Sequence, residues 1–241
     1  MLLKFTIFKN ISKSSLSMEN ALNHLAVIID GNRRFAKSRG LPSFKGHEYG
    51  AETVEKLIEW CSELGIKELT IYALSTENLK REEKEVDYLL KLMGKWFEKL
   101  KNDKRMEENQ IRMRFIGKLD LFPKKLQDLC KEIEEKTKNY GKSKVNFCAA
   151  YGGRLELLEA INKIKDKKEI SEEDITKALW LSSEPELIIR TGNRSRTSNF
   201  LPWQSVYSEW IFLGKMWPEF TKEDLISCIE EFKEIQRNFG K

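Results

Sequence analysis

The chain has 241 residues, of which 40% are hydrophobic and 34% are charged. This composition predicts a globular domain rather than a disordered chain, and no apolar run approaches the roughly 20 residues that a transmembrane helix needs. The net charge of +5 suits an anionic ligand but is low for a nucleic-acid-binding protein. The four cysteines are scattered, which argues against a disulfide framework or a zinc site and favours a reducing, cytoplasmic compartment.

The first 23 residues differ from the rest of the chain and are predicted to form an N-terminal extension to a domain spanning residues 24–241. They lack the long apolar stretch and the small-residue cleavage site of a secretory signal. Two interpretations stay open. The segment is either a frayed extension or a weak amphipathic contact with a membrane or a partner, through Phe5, Ile7 and Phe8 beside Lys4 and Lys9.

Strand and helix patterns alternate along the remainder of the chain. Short apolar runs predict strands over 25–30, 69–74, 111–116, 144–149, 187–190 and 209–213. Helical spacing of apolar residues predicts helices over 48–64, 82–107, 123–138, 154–164, 171–181 and 222–239. This alternation predicts a single α/β domain, with a mostly parallel central sheet of about six strands flanked by helices on both faces.

Polar loops follow four of the predicted strands. They run from Asp30 to Arg34, from Ser75 to Arg81, from Ala150 to Arg154, and from Arg190 to Asn199. Each contains or adjoins an arginine, and three contain glycine. Because ligands gather at the carboxyl ends of parallel strands, the loops together predict a site for a phosphorylated ligand.

The first of these loops, Asp30-Gly31-Asn32, leads into a basic helix start. Glycine allows a close approach of the backbone, and the amides at a helix N-terminus together with Arg33 or Arg34 would face an anion. Asp30 would then share a divalent metal with that anion. The alternative is a simple Asp-Gly turn with solvated arginines.

The loop after the fifth strand is the stronger signal. Arg190, Arg196 and Ser198 together could hold a diphosphate through forked donors and a hydroxyl. His47, in a predicted loop before a helix, either donates to an anion or leaving group or is a surface histidine. Glu209, at the start of the last strand, is either a metal ligand or a charge at the rim.

The predicted helix over 82–107 has a broader apolar face than one contact with a sheet requires. Core packing is the default explanation for Leu89, Leu92, Met93 and Trp96. If the ligand has a long hydrocarbon tail, the same side chains would line a hydrophobic tunnel.

Five motifs in this order resemble those of the cis-prenyltransferases, the family of undecaprenyl and dehydrodolichyl diphosphate synthases. They are DGNRRFA at 30–36, GH at 46–47, STENLKR at 75–81, YGGR at 151–154, and RTG followed by RTSNFLPWQ over 190–204. The resemblance runs from about residue 24 to the C-terminus. The doubled arginine after DGN is typical of the archaeal and eukaryotic branches.

This resemblance implies an Mg²⁺-dependent enzyme that repeatedly condenses isopentenyl diphosphate onto an allylic diphosphate, farnesyl or geranylgeranyl, with each new double bond cis. The expected product is a long polyprenyl diphosphate of the undecaprenyl carrier-lipid type, made by a homodimer. Asp30 would be the catalytic aspartate and a metal ligand with Glu209, and Asn78 would orient Asp30, water or the diphosphate, because a neutral amide is a poor base. The allylic-diphosphate residues would be Gly31, Asn32, Arg33, Arg34, Phe35, Ser43, His47, Ser75, Thr76, Glu77, Leu79 and Arg81. Isopentenyl diphosphate would be bound by Arg190, Arg196, Thr197 and Ser198, and the product tunnel would be lined by Leu89, Leu92, Met93 and Trp96.

The chain departs from the family pattern at Ser43, where the family usually has arginine, and Lys45 is expected to compensate. Arg237 is also one position out of register with the family's C-terminal Arg-x-Gly. Two other functions stay open. One is a non-catalytic partner subunit of a heteromeric prenyltransferase, although such subunits typically lose the aspartate that Asp30 retains. The other is a phosphate- or RNA-binding module.

Overall fold

The computed structural model of the chain describes residues 22–235. Two sequence predictions therefore lie outside the described residues: the membrane or partner contact of the N-terminal extension, and the register of Arg237. The final turns of the last predicted helix lie outside them as well. The fold below is that of residues 22–235.

Six parallel strands form one central sheet in the order β3-β4-β2-β1-β5-β6 within this region. Their bounds are β1 His24–Ile28, β2 Glu68–Ser75, β3 Ile111–Ile116, β4 Ser143–Tyr151, β5 Leu187–Arg190 and β6 Glu209–Phe212. Val27 in the centre pairs with Ile71 on one side and with Ile189 on the other. The predicted single-domain α/β fold with a parallel six-stranded sheet is confirmed.

Eight α-helices cover the sheet within the described residues. Their bounds are α1 Asn32–Ser38, α2 Ser43–Glu63, α3 Glu83–Lys101, α4 Lys104–Glu108, α5 Lys124–Thr137, α6 Gly153–Ile164, α7 Glu172–Ala178 and α8 Lys222–Glu234. Two of them begin with a capping box: Ser171 with Asp174 at α7, and Thr221 with Asp224 at α8. Such reciprocal hydrogen bonds satisfy the amides that a helix start leaves unpaired.

Several helix boundaries differ from the sequence prediction. The helix predicted over 171–181 ends at Ala178, because Leu179 is extended, and the helix predicted over 222–239 ends at Glu234, because Ile235 is extended. The helix predicted over 82–107 is two helices, because Asp103 accepts a hydrogen bond from the amide of Arg105 and caps α4. The helix predicted from residue 48 begins at Ser43, directly after Pro42. Its first turns carry Gly46 and Gly50, which weaken the apolar pattern but leave room for the backbone and side chain of Asn32 on α1.

The core occupies both faces of the sheet, as alternation along each strand requires. Leu25 and Val27 face the larger cluster, which includes residues of α2, α3, α5 and α8, whereas Ala26 and Ile28 face a smaller one. All four cysteines are buried as free thiols, in keeping with their scattered positions. No helix of residues 22–235 is both long enough and apolar enough to cross a membrane.

Candidate active site

The four polar loops meet at the carboxyl edge of the sheet and border one cavity of about 920 Å³. Three of the strands that lead into them, β2, β1 and β5, are neighbours in the sheet, and β4 lies beside β2. The remaining walls come from α2 and α3. The cavity thus combines loops rich in arginine with the inner faces of two helices.

Asp30 lies at the end of β1, and both of its carboxylate oxygens accept hydrogen bonds from arginines. Arg34 Nη2 donates to Oδ1 at 2.9 Å, and Arg190 Nη2 donates to Oδ2 at 2.8 Å. The side chain of Arg190 is only 4% exposed, against 30% for Asp30. Burial by itself would raise the pKa of Asp30, but the hydrogen bonds and charges of Arg190 and Arg34 outweigh it and hold the pKa below its usual range. Asp30 is therefore ionised.

Arg190 also holds the loop that follows β5. Its Nη1 donates to the hydroxyl of Ser198 at 2.6 Å and to the backbone carbonyl of Arg196. Ser198 and Asn199 have φ values of 52° and 62°, in the left-handed region that residues with side chains seldom adopt. These contacts fix the loop so that Arg196 and Ser198 line the cavity.

Two glycines with positive φ shape the loops after β1 and β5, and Gly192 lets the second of these loops approach the first. Gly31 has φ 112° and precedes α1. Gly192 has φ 88°, and a Cβ there would lie 2.7 Å from Arg34 Nη2 and 2.9 Å from the carbonyl oxygen of Asp30. The predicted basic helix start is thus present as α1, whose first amides have no partner within the helix.

His47 lies within α2, so its predicted loop position is wrong. Its side chain lines the cavity rather than the outer surface, and its Nε2 is buried with no hydrogen-bond partner in the described part of the chain. Burial, and then the positive charge of Arg81, lower the pKa of His47 to about 4. The ring is therefore neutral at neutral pH. Arg81 and Arg33 both form ion pairs with Glu85, at 3.0 Å and 3.7 Å.

The loop after β2 is closed by hydrogen bonds of its own. The amide of Ser75 donates to Asn78 Oδ1 at 3.3 Å, and the amide of Asn78 donates to Ser75 Oγ at 3.2 Å. Asn199 Nδ2 donates to Glu77 Oε1 at 3.1 Å, which links this loop to the loop after β5. Asn78 therefore shapes the loop and contacts Ser75 rather than Asp30 in this structure.

The far part of the cavity is apolar. All four side chains predicted to form a tunnel line it, namely Leu89, Leu92, Met93 and Trp96, and Phe97 and Phe147 adjoin them. Glu85 near the mouth and Trp96 are both on α3, and their separation along the helix axis is about 16 Å at ~1.5 Å per residue. The cavity therefore has a cationic mouth and a deep apolar interior.

Comparison with known proteins identifies the family. The prenyltransferase family model, described as undecaprenyl diphosphate synthase, matches residues 28–240. A tritrans,polycis-undecaprenyl-diphosphate synthase (geranylgeranyl-diphosphate specific) from Methanocaldococcus jannaschii is 40% identical, covering 98% of this chain and 88% of that protein. An isoprenyl transferase from Thermotoga maritima is 43% identical, covering 90% of this chain and 96% of that one. The chain belongs to the cis-prenyltransferase family.

Solved structures agree with this assignment. The crystal structure of lavandulyl diphosphate synthase from Lavandula x intermedia, in complex with dimethylallyl diphosphate, matches this cis-prenyltransferase with a TM-score of 0.88 at 33% identity. It covers 92% of this chain and 100% of that one. A "probable undecaprenyl diphosphate synthase" from Campylobacter jejuni matches with a TM-score of 0.79 at 36% identity, with the same coverage. The chain is a transferase of prenyl groups.

Most of the site residues expected of a cis-prenyltransferase line the cavity, but five do not, namely Phe35, Thr76, Leu79, Thr197 and Glu209. Phe35 is buried against Tyr49, with ring centroids 5.5 Å apart, and Leu79 packs on the core. Thr76 and Thr197 lie in the site loops but are not among the lining residues. Phe35 and Leu79 therefore contribute through packing rather than by bordering the cavity.

The structure does not bring Glu209 to Asp30 within one chain. Glu209 pairs with Leu187 at the amino end of β6, whereas Asp30 contacts Arg190 at the carboxyl end of β5. Leu187 and Arg190 are three residues apart along the strand, which corresponds to a separation of about 10 Å. Nor does any group of three His, Cys, Asp or Glu side chains suited to a metal ion occur in residues 22–235.

Several cavity residues were not predicted as site residues. Lys37 lies one helical turn beyond Arg33 on α1, and Arg154 and Asn199 belong to polar loops that the sequence had marked. Helical spacing was the available signal for Lys37. Lys45, by contrast, pairs with Glu48 at 2.7 Å and is not among the lining residues. Of Lys37 and Lys45, it is therefore Lys37 that adds positive charge to the cavity.

Proposed function

We propose that this cis-prenyltransferase condenses isopentenyl diphosphate repeatedly onto geranylgeranyl diphosphate, to give a polyprenyl diphosphate of the undecaprenyl type. The observation that carries the proposal is the single cavity that joins the Asp30, Arg34 and Arg190 cluster to apolar walls on α3. A diphosphate on a hydrocarbon chain has the same division into a charged head and an apolar tail. The starter is taken from relatives named as geranylgeranyl-specific, 40% and 39% identical over 98% of this chain.

The allylic diphosphate would lie against the loop from Gly31 to Arg34 and the neutral ring of His47. Isopentenyl diphosphate would lie against Arg196 and Ser198, with Arg190 between the two heads. As the allylic carbon–oxygen bond breaks, negative charge grows on the leaving diphosphate, and preorganised guanidinium groups stabilise that charge. A carbon–carbon bond forms to isopentenyl diphosphate, and a proton then leaves the new cation.

Asp30 is suited to Mg²⁺ only together with a bound diphosphate. One carboxylate plus substrate phosphate oxygens is the usual protein environment of Mg²⁺, and the described residues place no second acid beside Asp30. With a diphosphate present, Arg34 and Arg190 can turn to its oxygens and leave the Asp30 carboxylate for the ion. Mg²⁺ bound there would supply charge neutralisation at the leaving group.

Asn78 is proposed as a positioning residue rather than a base. A carboxamide is a poor proton acceptor, and its oxygen here accepts a hydrogen bond from the amide of Ser75. Asn78 would therefore hold the loop after β2 over the reacting groups. The proton that leaves would pass to the diphosphate or to water.

The deciding experiment is incubation with labelled isopentenyl diphosphate, Mg²⁺ and either farnesyl or geranylgeranyl diphosphate, followed by analysis of product length. A ladder of polyprenyl products that forms faster from geranylgeranyl diphosphate supports the proposal. A preference for farnesyl diphosphate would refute the starter, and a shorter final product would refute the undecaprenyl type. No product from a folded protein would favour a partner subunit.

Three further expectations remain proposals. A homodimer is expected from the family, and light scattering after size-exclusion chromatography would test it. A peripheral membrane contact through the extension of residues 1–23 would be tested by co-sedimentation of the full chain with anionic vesicles. A cytoplasmic location follows only from the scattered cysteines and would be tested by cell fractionation.

A further inference from the structure

Asn199, in the loop after β5, lies where three of the polar loops meet. Its backbone carbonyl accepts a hydrogen bond from the amide of Gly153 at 2.8 Å, and its Oδ1 accepts one from the amide of Arg154 at 2.9 Å. These are the first two amides of α6, and such amides have no acceptor within a helix. Both oxygens of Asn199 are therefore used to hold the start of α6, which follows β4.

The remaining polar group of Asn199 reaches the loop after β2. Its Nδ2 donates to Glu77 Oε1 at 3.1 Å. Burial by itself would raise the pKa of Glu77, but hydrogen bonds from its own backbone amide and from Ser75 and Asn199 hold the pKa below its usual range. Glu77 is therefore an ionised carboxylate that can only accept hydrogen bonds, and a bond to such a group is stronger than one between neutral groups.

Asparagine meets the requirements of this position closely. Its φ of 62° is in the left-handed region, which asparagine adopts more readily than most residues. The amide has room because the neighbouring residue is Gly152, where a Cβ would lie 3.1 Å from Asn199 Nδ2 and 2.8 Å from Thr76 Oγ1. Aspartate at position 199 would keep the acceptor for Arg154 but lose the donor to Glu77.

The hydrogen bond between Asn199 and Glu77 joins residues that adjoin the two proposed substrate sites. Ser198, directly before Asn199, lines the cavity and accepts a hydrogen bond from Arg190 Nη1 at 2.6 Å. Asn78, directly after Glu77, lines the cavity from the other side. A change in the position of one loop is therefore passed to the other through one contact between side chains.

We infer that Asn199 is a positioning residue that couples the two substrate sites. This inference rests on the proposed function, because it concerns the two substrates assigned there. Isopentenyl diphosphate bound at Ser198 would fix Asn199, and Asn199 would then hold Glu77 and its loop in place against the allylic substrate. Because coupling between two ligands is reciprocal, each substrate should raise the affinity for the other by the same factor. One hydrogen bond to a charged group can supply a factor of about ten.

The test measures this factor by isothermal titration calorimetry on the full chain in the presence of Mg²⁺. The probe is geranylgeranyl thiolodiphosphate, in which a carbon–sulfur bond replaces the reactive carbon–oxygen bond. In the wild type, saturating isopentenyl diphosphate should raise the affinity for this probe about tenfold. Asn199→Asp keeps the acceptor for α6 but brings two carboxylates together, so the gain should disappear. Asn109→Asp, which makes the same change at a side chain that donates to the carbonyl of Arg105 outside the cavity, is the matched control and should keep the gain.

A second variant exchanges donor and acceptor. Asn199→Asp combined with Glu77→Gln has the net charge of the wild type, and the new amide at position 77 can donate to the new carboxylate at position 199. This double variant should recover the gain to within about threefold of the wild-type value, because a neutral donor again meets a charged acceptor. In steady-state kinetics, kcat should fall in Asn199→Asp and recover in the double variant. If Asn199 had only a structural role, the double variant would be as impaired as Asn199→Asp.

The outcomes separate this inference from the proposed function. A wild-type protein that makes no polyprenyl ladder refutes the proposed function. A wild-type ladder together with a probe affinity that isopentenyl diphosphate leaves unchanged refutes the inference, as does an undiminished gain in Asn199→Asp. A double variant no better than Asn199→Asp refutes the hydrogen bond to Glu77 as the coupling contact. If Asn199→Asp does not fold, Glu77→Ala, which leaves both contacts to α6 in place, decides: loss of the gain supports the inference and an unchanged gain refutes it.

Discussion

Asp30→Asn is predicted to affect diphosphate binding in opposite directions in the absence and presence of Mg²⁺. Without metal, the carboxylate of Asp30 competes with an incoming anion for Arg34 and Arg190, which it contacts at 2.9 and 2.8 Å. A neutral amide of the same size removes both that competition for the arginines and the charge repulsion between the carboxylate and the anion. With metal, the carboxylate is the proposed ligand, so its loss should remove the contribution of the metal to binding.

The magnitude follows from the geometry. An anion bound by the same two guanidinium groups lies within about 5 Å of the Asp30 carboxylate, where a like charge costs ~3 kcal/mol at an effective dielectric constant of 20 and below ~1 kcal/mol in bulk water. The site opens to solvent, so a value of about 1–2 kcal/mol applies. This corresponds to a gain in affinity of roughly five- to thirtyfold.

Isothermal titration calorimetry measures the affinity for pyrophosphate under both conditions, once with a chelator and once with Mg²⁺. Asp30→Asn should bind more tightly than the wild type in chelator and more weakly in Mg²⁺, and it should have no turnover. Asp128→Asn makes the same change in net charge at a surface pair with Lys124 and should alter neither affinity. Weaker binding by Asp30→Asn in chelator would refute the competition between Asp30 and the anion.

Three further predictions concern single side chains. Arg196→Ala should raise the KM for isopentenyl diphosphate about tenfold or more with little change in kcat, since a hydrogen bond to a charged group contributes about 1.5–3 kcal/mol; an unchanged KM contradicts the assignment. Ser43→Arg should lower the KM for the allylic starter, and kinetics at fixed isopentenyl diphosphate would show it. Burial lowers the pKa of His24, so its neutral ring contributes stability that is complete above its unfolded value of 6.5 and declines as the pH falls below it. Urea unfolding above and below that pH should therefore show a larger loss of stability in the wild type than in His24→Gln.

The sheet could be predicted from the sequence because its strands are buried on both faces. Such strands appear as continuous apolar runs, as in Leu25 to Ile28 and Leu187 to Ile189, and each ends where polar loop residues begin. The rule that ligands gather at carboxyl ends then places those loops together. The cavity at that edge therefore followed from local pattern and topology alone.

The packing of α1 on α2 could not be predicted in the same way. α1 has only seven residues, too few to show a period, and Gly46 and Gly50 replace the apolar side chains expected on the inner face of α2. Contact there is made by the backbone and side chain of Asn32, because a Cβ at Gly50 would lie 2.1 Å from Asn32 Oδ1. The spacing of apolar residues in a sequence indicates which side chains are buried, and it gives no signal for contacts made through the backbone. His47 was placed in a loop for this reason.

The residue types of the site were predictable, but their partners were not. Asp30 is held by one arginine four residues away and by another 160 residues away, and only the β1–β5 pairing brings the second one close. The β5–β6 pairing places Glu209 beside Leu187, at the amino end of β5. Trp96 likewise shares a helical face with Leu89 and Met93. Its hydrogen bond to Glu55 on α2 could not be predicted from the residue pattern of α3.

An acidic side chain at the centre of the proposed diphosphate site would lower the affinity of the empty site for its ligand, so its presence needs a physical reason. Without Asp30, Arg34 and Arg190 would face each other with no counter-charge, and Arg190 is almost fully buried. A buried, uncompensated cation is strongly destabilising. Asp30 therefore holds both guanidinium groups in place, which under the proposed function is where a diphosphate would meet them. Under the proposed function, the two arginines would turn to the bound diphosphate and leave the Asp30 carboxylate for Mg²⁺. A single side chain would then organise the empty site and take part in the loaded one.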